Sequence, residues 1–384
     1  MNDDLLNRKL TRKDFFKKTC LFCLGAGLFS YLENMAPRKA YPLGAGASFL
    51  HEAGFYKKID EQTVQCGLCP RRCTLSEGQR GFCRVREAHG GKLYSMVHSR
   101  PCSIAIDPIE KKPFFHFLPG IAVFSIATAG CNYRCKYCQN WQISQSAPEE
   151  VEGYSLSAGE AAAQARGKGC PAIAYTYTEP VIFYEYMLDT AKEARANGIR
   201  NLCHTNGSFN PEPAENIAPY LDGANIDLKG FDRGFYTDVC AGFLDETLNT
   251  LKIFRKHNVW IEITNLVVPT LNDDMGAIRQ MCGWIKDNLG PDVPLHFSRF
   301  HPQYKLTGLS PTPVATLEQA WQVAGESGLN YVYIGNVPGH PAEHTYCPQC
   351  KENVIQRSGY TILSNNVVDG KCKFCQGRIA GVWH

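Results

Sequence analysis

The chain has 384 residues, 44% of them hydrophobic, with 40 Lys plus Arg against 37 Asp plus Glu and a formal net charge of +3. That length allows one large domain with appendages, and the composition is that of an ordinary soluble globular protein. So balanced a charge gives no support to a nucleic-acid binder, which would carry a basic surplus or stripe. The 18 cysteines say more: eleven fall into three tight groups, and Cys20, Cys23, Cys102, Cys170, Cys203, Cys240 and Cys282 read mostly as buried small apolar residues. C-x2-C pairs in a chain this long argue for metal binding in a reducing compartment rather than a disulfide scaffold.

Residues 1–50 read as a leader or an N-terminal helix. TRKDFFKK runs into TCLFCLGAGLFSYL, a basic segment before a short apolar one. The segment resembles a twin-arginine export signal with Lys13 in place of the second arginine. From Cys20 to Leu32 the apolar run is too short for a comfortable membrane span, and no other stretch suggests one. A cytoplasmic location follows, close to a membrane if this helix lies on one; the alternative is export through the leader.

Residues 51–115 form a Cys-rich lobe. Cys66, Cys69, Cys73 and Cys83 have the spacing C-x2-C-x3-C-x9-C, a set of four thiolates suited to zinc or to a second iron–sulfur cluster. A cluster would relay electrons or anchor substrate, whereas zinc would tie the lobe to the next domain. Arg84 and Arg86 stand beside Cys83, where they could screen thiolate charge.

Between residues 116 and 340, short apolar runs alternate with amphipathic stretches. IAVFSIAT, CPAIAYTYTEP, IRNLCHTNG, GANIDLKG, VWIEITNLVVP and VPLHFSRF read as six strands, and NYVYIGNV as a seventh or a cover. Repeated βα units predict parallel strands in a partial (β/α)6 barrel. A doubly wound sheet is the runner-up, weakened because no G-x-G-x-x-G follows the first strand.

Cys131, Cys135 and Cys138 lie just after that first strand in GCNYRCKYCQN, with Tyr137 before the third cysteine. Three thiolates on a [4Fe-4S] cluster leave one iron open for a small molecule, unlike a structural zinc site closed by four ligands. C-x3-C-x2-C with this aromatic resembles the signature of radical S-adenosylmethionine (SAM) enzymes. The resemblance implies a reduced cluster whose open iron holds SAM and whose electron cleaves it to a 5'-deoxyadenosyl radical. It also implies a low-potential electron donor as partner.

Polar residues at the strand ends extend the resemblance to pyruvate formate-lyase activating enzymes. Glu179 in YTYTEP would face the SAM ammonium or cap the next helix; the family's motif is usually glycine-rich there, whereas this chain has Tyr177 and Thr178. Asn206 in TNG would orient SAM oxygens. Asp227 and Lys229 in DLK share one strand face, near substrate and the SAM carboxylate, or form only an ion pair. Arg299 could clamp a carboxylate. His301, in a His-Pro pair, would lie near the SAM ribose; His296 and Asn265 are weaker candidates.

Residues 341–384 carry two C-x2-C knuckles, Cys347/Cys350 and Cys372/Cys375, separated by 21 residues. They predict a zinc-ribbon or rubredoxin-like module holding zinc, with a single iron as the alternative. The whole order of motifs resembles the radical SAM member of the AmmeMemoRadiSam group, which implies Memo-like and AMMECR-type proteins as partners. An activase acting on a protein glycine, and a non-catalytic electron carrier or scaffold, are the alternatives to a small-molecule enzyme.

Overall fold

The computed structural model describes residues 50–384. The leader expectation therefore falls almost wholly outside the described residues. Among those residues, no helix is long and apolar enough to cross a membrane.

The central element is an eight-stranded sheet. Its strands are β1 (Ser103–Pro108), β2 (Ala122–Ala127), β3 (Ala172–Tyr175), β4 (Arg200–Thr205), β5 (Gly223–Asp227), β6 (Trp260–Val267), β7 (Leu295–Arg299) and β8 (Val332–Gly335). They follow one another in spatial as well as sequence order. From β2 to β8 every neighbouring pair is parallel, while β1 runs antiparallel to β2 at one edge. A doubly wound sheet would reverse its order at a switch point, and this one does not. The open parallel barrel is confirmed and NYVYIGNV is its seventh parallel strand.

Helices α1 (Ala158–Gly167), α2 (Tyr184–Ala196), α3 (Pro211–Ile217), α4 (Leu244–Lys256), α5 (Met275–Leu289) and α6 (Val314–Glu326) lie in the crossovers. Local chemistry sets their starts. Ser157 and Glu160 exchange capping hydrogen bonds before α1, and Asp274 accepts from the Ala277 amide before α5. The short α3, opened by Pro211, was not read from sequence.

Strand alternation sends one set of side chains to the helices and the other to the lumen. At the floor of the barrel, Ile109, Phe114 and Phe117 pack on Val123, Ala172, Ala174 and Leu202. Higher in the lumen the side chains turn polar. Buried Glu262 accepts from the Phe115 and His116 amides and pairs with His296 at 2.7 Å. Full burial of a carboxylate is tolerable only with such partners.

The N-terminal lobe consists of two small three-stranded sheets. A buried ion pair between Arg86 and Glu185 of α2, 2.7 Å apart, fastens it to the barrel. At the other end, Thr345–Tyr346, Asn353–Ser358 and Thr361–Asn365 form a three-stranded sheet against β8. Buried Arg357 donates to the Phe115 carbonyl (2.8 Å) and Thr345 Oγ1 (2.7 Å), and its guanidinium covers the Phe115 ring.

Candidate active site and metal centres

Cys131 follows the C-terminal end of β2, the end at which α/β barrels gather their reactive groups. Gly130 turns the chain there with φ +92°, and a Cβ at that position would sit 2.5 Å from the Cys83 carbonyl oxygen, so only glycine permits the approach. Cys131, Cys135 and Cys138 line one cavity of about 460 Å³ together with Tyr137, Glu179, Asn206, Asp227 and Lys229. A larger groove of about 860 Å³ runs beside α6 and the C-terminal module, but none of these groups reaches it. The chemistry is therefore assigned to the smaller cavity.

The trio's surroundings suit sulfur ligands. The Tyr133 amide lies 3.3 Å from Cys131 Sγ, and Ser144 Oγ 3.2 Å from Cys138 Sγ. Tyr137 is buried, stacks on Phe235 and shares a hydrogen bond of 3.2 Å with Cys240 Sγ. Cys240 ends a π-helical turn, Tyr236–Cys240, and its backbone carbonyl accepts from the Arg134 amide inside the cysteine loop. Its proximity to the trio was missed from sequence, where it reads as one more apolar filler. Soft donors with hydrogen bonds to sulfur fit an iron–sulfur cluster.

Glu179 does cap the turn after β3, accepting from the Val181 amide at 3.1 Å. It also accepts from Thr205 Oγ1 (2.5 Å) and the Asn206 amide (2.8 Å), so two strand ends converge on it. Burial pushes its carboxyl up to about 7 despite those hydrogen bonds. Asn206 is itself held by Asn132 Oδ1 and the Ser208 amide.

Tyr177 occupies the place where a glycine is usual in the resembling motif, and it adopts φ +63°. Tyr177 thus takes a left-handed backbone conformation, at a cost of about 1–2 kcal/mol. Its hydroxyl donates to Asp107, and the Lys112 ammonium lies 3.9 Å from its ring centroid. Lys112 pairs with Asp107 at 2.7 Å, and burial lowers its ammonium to about 8. Asp107 and Lys112 were not read from sequence, because β1 and the turn after it precede the first strand recognised there.

Asp227 is flanked by Lys229 Nζ at 2.9 Å and His204 Nε2 at 3.1 Å. Burial alone would raise its carboxyl; the Lys229 ammonium and His204 outweigh it and hold Asp227 below the usual carboxylate range. His204 escaped the sequence reading, although it lies on the same face of β4 as Asn206.

Three of the expected residues stand away from the cavity. His296 and Ser298 of β7 line the cavity, so alternation turns Arg299 away, and its Nε donates to the Thr312 carbonyl at 2.8 Å. Arg299 thereby ties a loop and is not among the cavity-lining residues. His301 lies beyond the strand end, exposed, and is not among the cavity-lining residues. Asn265 likewise faces outward and donates to the Leu228 carbonyl.

The accessory cysteines form two separate places. Cys66, Cys69, Cys73 and Cys83 line a small cavity of their own. In the C-terminal module, all four sulfurs lie within 4.8 Å of one another. Cys347 Sγ is 3.6 Å from Cys375 Sγ, and Cys350 Sγ is 3.7 Å from Cys372 Sγ. Four thiolates about 2.3 Å from one tetrahedral ion would stand about 3.8 Å apart, so the module fits a single zinc or iron.

Residues 125–282 match the family model described as the radical SAM superfamily. An uncharacterized protein of Methanocaldococcus jannaschii, MJ0808, is 47% identical over 332 residues, which span 86% of this chain and 99% of that protein. Another from the same organism, MJ0674, is 32% identical over 81 residues, 21% of this chain and 19% of that protein. Among solved structures, a domain of pyruvate-formate lyase-activating enzyme from Bacteroides vulgatus is 17% identical, with 42% of this chain and 98% of that chain covered and a TM-score of 0.38. A radical SAM methyltransferase from Sphaerobacter thermophilus is 11% identical, with coverages of 82% and 83% and a TM-score of 0.45. The chain belongs to the radical SAM superfamily. Membership implies a [4Fe-4S] cluster, SAM and a reductant.

Proposed function

We propose that the chain cleaves SAM reductively at the barrel mouth and that the 5'-deoxyadenosyl radical removes a hydrogen atom from a small polar substrate in the lumen. When bound, the cluster supplies the electron for that cleavage. Cys131, Cys135 and Cys138 hold it. Glu179, ionised, attracts the SAM ammonium, with Asn206 held beside it. Lys229 faces the SAM carboxylate, and Asp227 with His204 keeps that ammonium in place. Deeper in the lumen, His296, Ser298, Tyr177 and Lys112 offer substrate a polar wall.

The observation that carries this reading is the convergence of three thiols, a buried carboxylate and a lysine–aspartate pair on one cavity of about 460 Å³. That volume is near the low end for small-molecule pockets. Tyr360 of the C-terminal module also lines it. The cluster and SAM would share that volume, so it is the narrowing by Tyr360 that favours a small substrate over the protein loop that an activase would admit. A bare electron carrier has no use for the strand-end charges.

The test is the Cys135→Ala variant, reconstituted and assayed anaerobically with dithionite and SAM. The expected outcome is loss of the trio's cluster and of all 5'-deoxyadenosine production. Undiminished cleavage would overturn the reading.

A further inference from the structure

Cys66, Cys69, Cys73 and Cys83 take no part in the reading above. Their geometry differs from that of the C-terminal four. Where those converge within 4.8 Å, no three of the N-terminal thiols do; these four cysteines line a cavity of about 20 Å³, with Leu68, Arg71, Phe82, Arg86 and Ile182 in its wall. A single tetrahedral ion draws its four sulfurs into mutual contact. The thiolates of a four-iron cluster stand apart, round a space that holds four irons and four sulfides. The Phe82 amide lies 3.5 Å from Cys73 Sγ, a backbone hydrogen bond of the kind that tunes such clusters.

This cavity is built against the radical site. The Cys83 carbonyl packs on Gly130, the residue before Cys131. Arg71 donates to the Asn132 carbonyl at 2.8 Å and also to the Ala241 carbonyl. In the other direction, Arg134 donates to the Phe82 carbonyl. Asn132 lines the cavity of the four cysteines and directly follows Cys131. The two cysteine loops therefore meet at three points, one backbone against backbone and two guanidinium to carbonyl.

We infer that Cys66, Cys69, Cys73 and Cys83 hold a four-iron, four-sulfide cluster that passes single electrons to the Cys131/Cys135/Cys138 site. A low-potential one-electron donor, such as reduced flavodoxin, is oxidised by one electron. The N-terminal cluster gains that electron and then loses it to its neighbour; no bond forms or breaks and no proton moves. Only the destination of the electron rests on the function proposed above.

The full chain carrying Cys131→Ala, Cys135→Ala and Cys138→Ala isolates the N-terminal site. Reconstituted anaerobically with ferrous iron, sulfide and zinc all present, it should retain about four irons and four sulfides per chain there, with a paramagnetic signal after dithionite. Adding Cys66→Ser and Cys83→Ser should remove them. Zinc at these cysteines without sulfide would overturn the inference. SAM cleavage is absent from this variant by design, so the count stands whether or not the chain cleaves SAM. The relay is tested in the unaltered chain by freeze-quench paramagnetic resonance after mixing with reduced flavodoxin. The N-terminal signal should rise first and decay as the second grows. A radical-site signal that appears first, or independently, would overturn the relay.

Discussion

The two four-cysteine regions share a ligand count and differ in what surrounds it. At the C-terminus, the four sulfurs close on one point, and the module's buried Val354, Ile355, Ile379 and Ala380 pack with Phe115, Tyr331 and Tyr333. The module is tied to the barrel by Arg357, which donates to the Phe115 carbonyl, and by the hydrogen bond between Thr345 and Tyr333. At the N-terminus, the sulfurs ring a cavity inside a lobe with its own buried residues, including Leu68, Val85 and Leu93, and a buried ion pair to α2. Ligand count thus says little about metal identity. The separation of the sulfurs, and what the loop touches, says more: one site closes a small fold, and the other abuts the cysteine loop of the radical site.

The largest effect that would sharpen this contrast comes from Cys347→Ala with Cys350→Ala. A structural zinc contributes about 10–16 kcal/mol of apparent binding energy in small metal-folded units, so the module should lose its fold and its ion together. Metal analysis should find one zinc fewer per chain, and thermal unfolding should show an early transition. SAM cleavage per folded barrel should persist; its complete loss would mean that the module takes part in the chemistry.

Glu185→Ala attacks the other region. It leaves the Arg86 guanidinium buried without its partner, at a cost of about 3–5 kcal/mol. Denaturant unfolding should show the midpoint falling accordingly. An unchanged midpoint would mean that the ion pair does not hold the lobe.

A smaller effect is expected from Glu179→Gln. Loss of a charge-assisted hydrogen bond, about 1.5–3 kcal/mol, should weaken SAM binding by roughly tenfold or more, with the iron content intact. Isothermal titration of the reconstituted protein checks this; an unchanged affinity would leave Glu179 as a cap alone.

The smallest is a pH effect on the same group. Burial raises Glu179 to about 7, so below that pH it is increasingly protonated and loses its attraction for an ammonium group. SAM affinity should therefore fall as pH drops below about 7, by up to about tenfold per unit, and level off above it. The slope should vanish in Glu179→Gln. A slope that survives there belongs to another residue.

Much of this was legible in the sequence. The parallel strands were readable because runs buried on both faces stay largely apolar, as IAVFSIAT does, even where Glu262, Thr264 and Asn265 interrupt VWIEITNLVVP. The strand-end placement of Glu179, Asn206, Asp227 and Lys229 followed from those runs. The position of Arg299 off the cavity has a related reason: a strand places alternate residues on opposite faces, and His296 and Ser298 take the lumen. Tyr177 shows a different limit. The sequence showed a missing glycine, but not that Tyr177 would adopt a positive φ with its side chain against Asp107 and Lys112. Cys240 lies 102 residues beyond Cys138, and nothing local to either segment brings them together. Whether a four-cysteine spacing closes on one ion or rings a cavity depends on the packing of the loops, which the spacing alone does not carry.

The most direct test of the account is Mössbauer spectroscopy of the full chain reconstituted with iron-57 and sulfide in the presence of zinc, recorded with and without SAM. The account predicts about eight irons per chain in two four-iron clusters, with a single iron changing its signal when SAM is added. One cluster's worth of iron would contradict the contrast between the two accessory sites. Two clusters with no iron responding to SAM would contradict the open site at Cys131, Cys135 and Cys138.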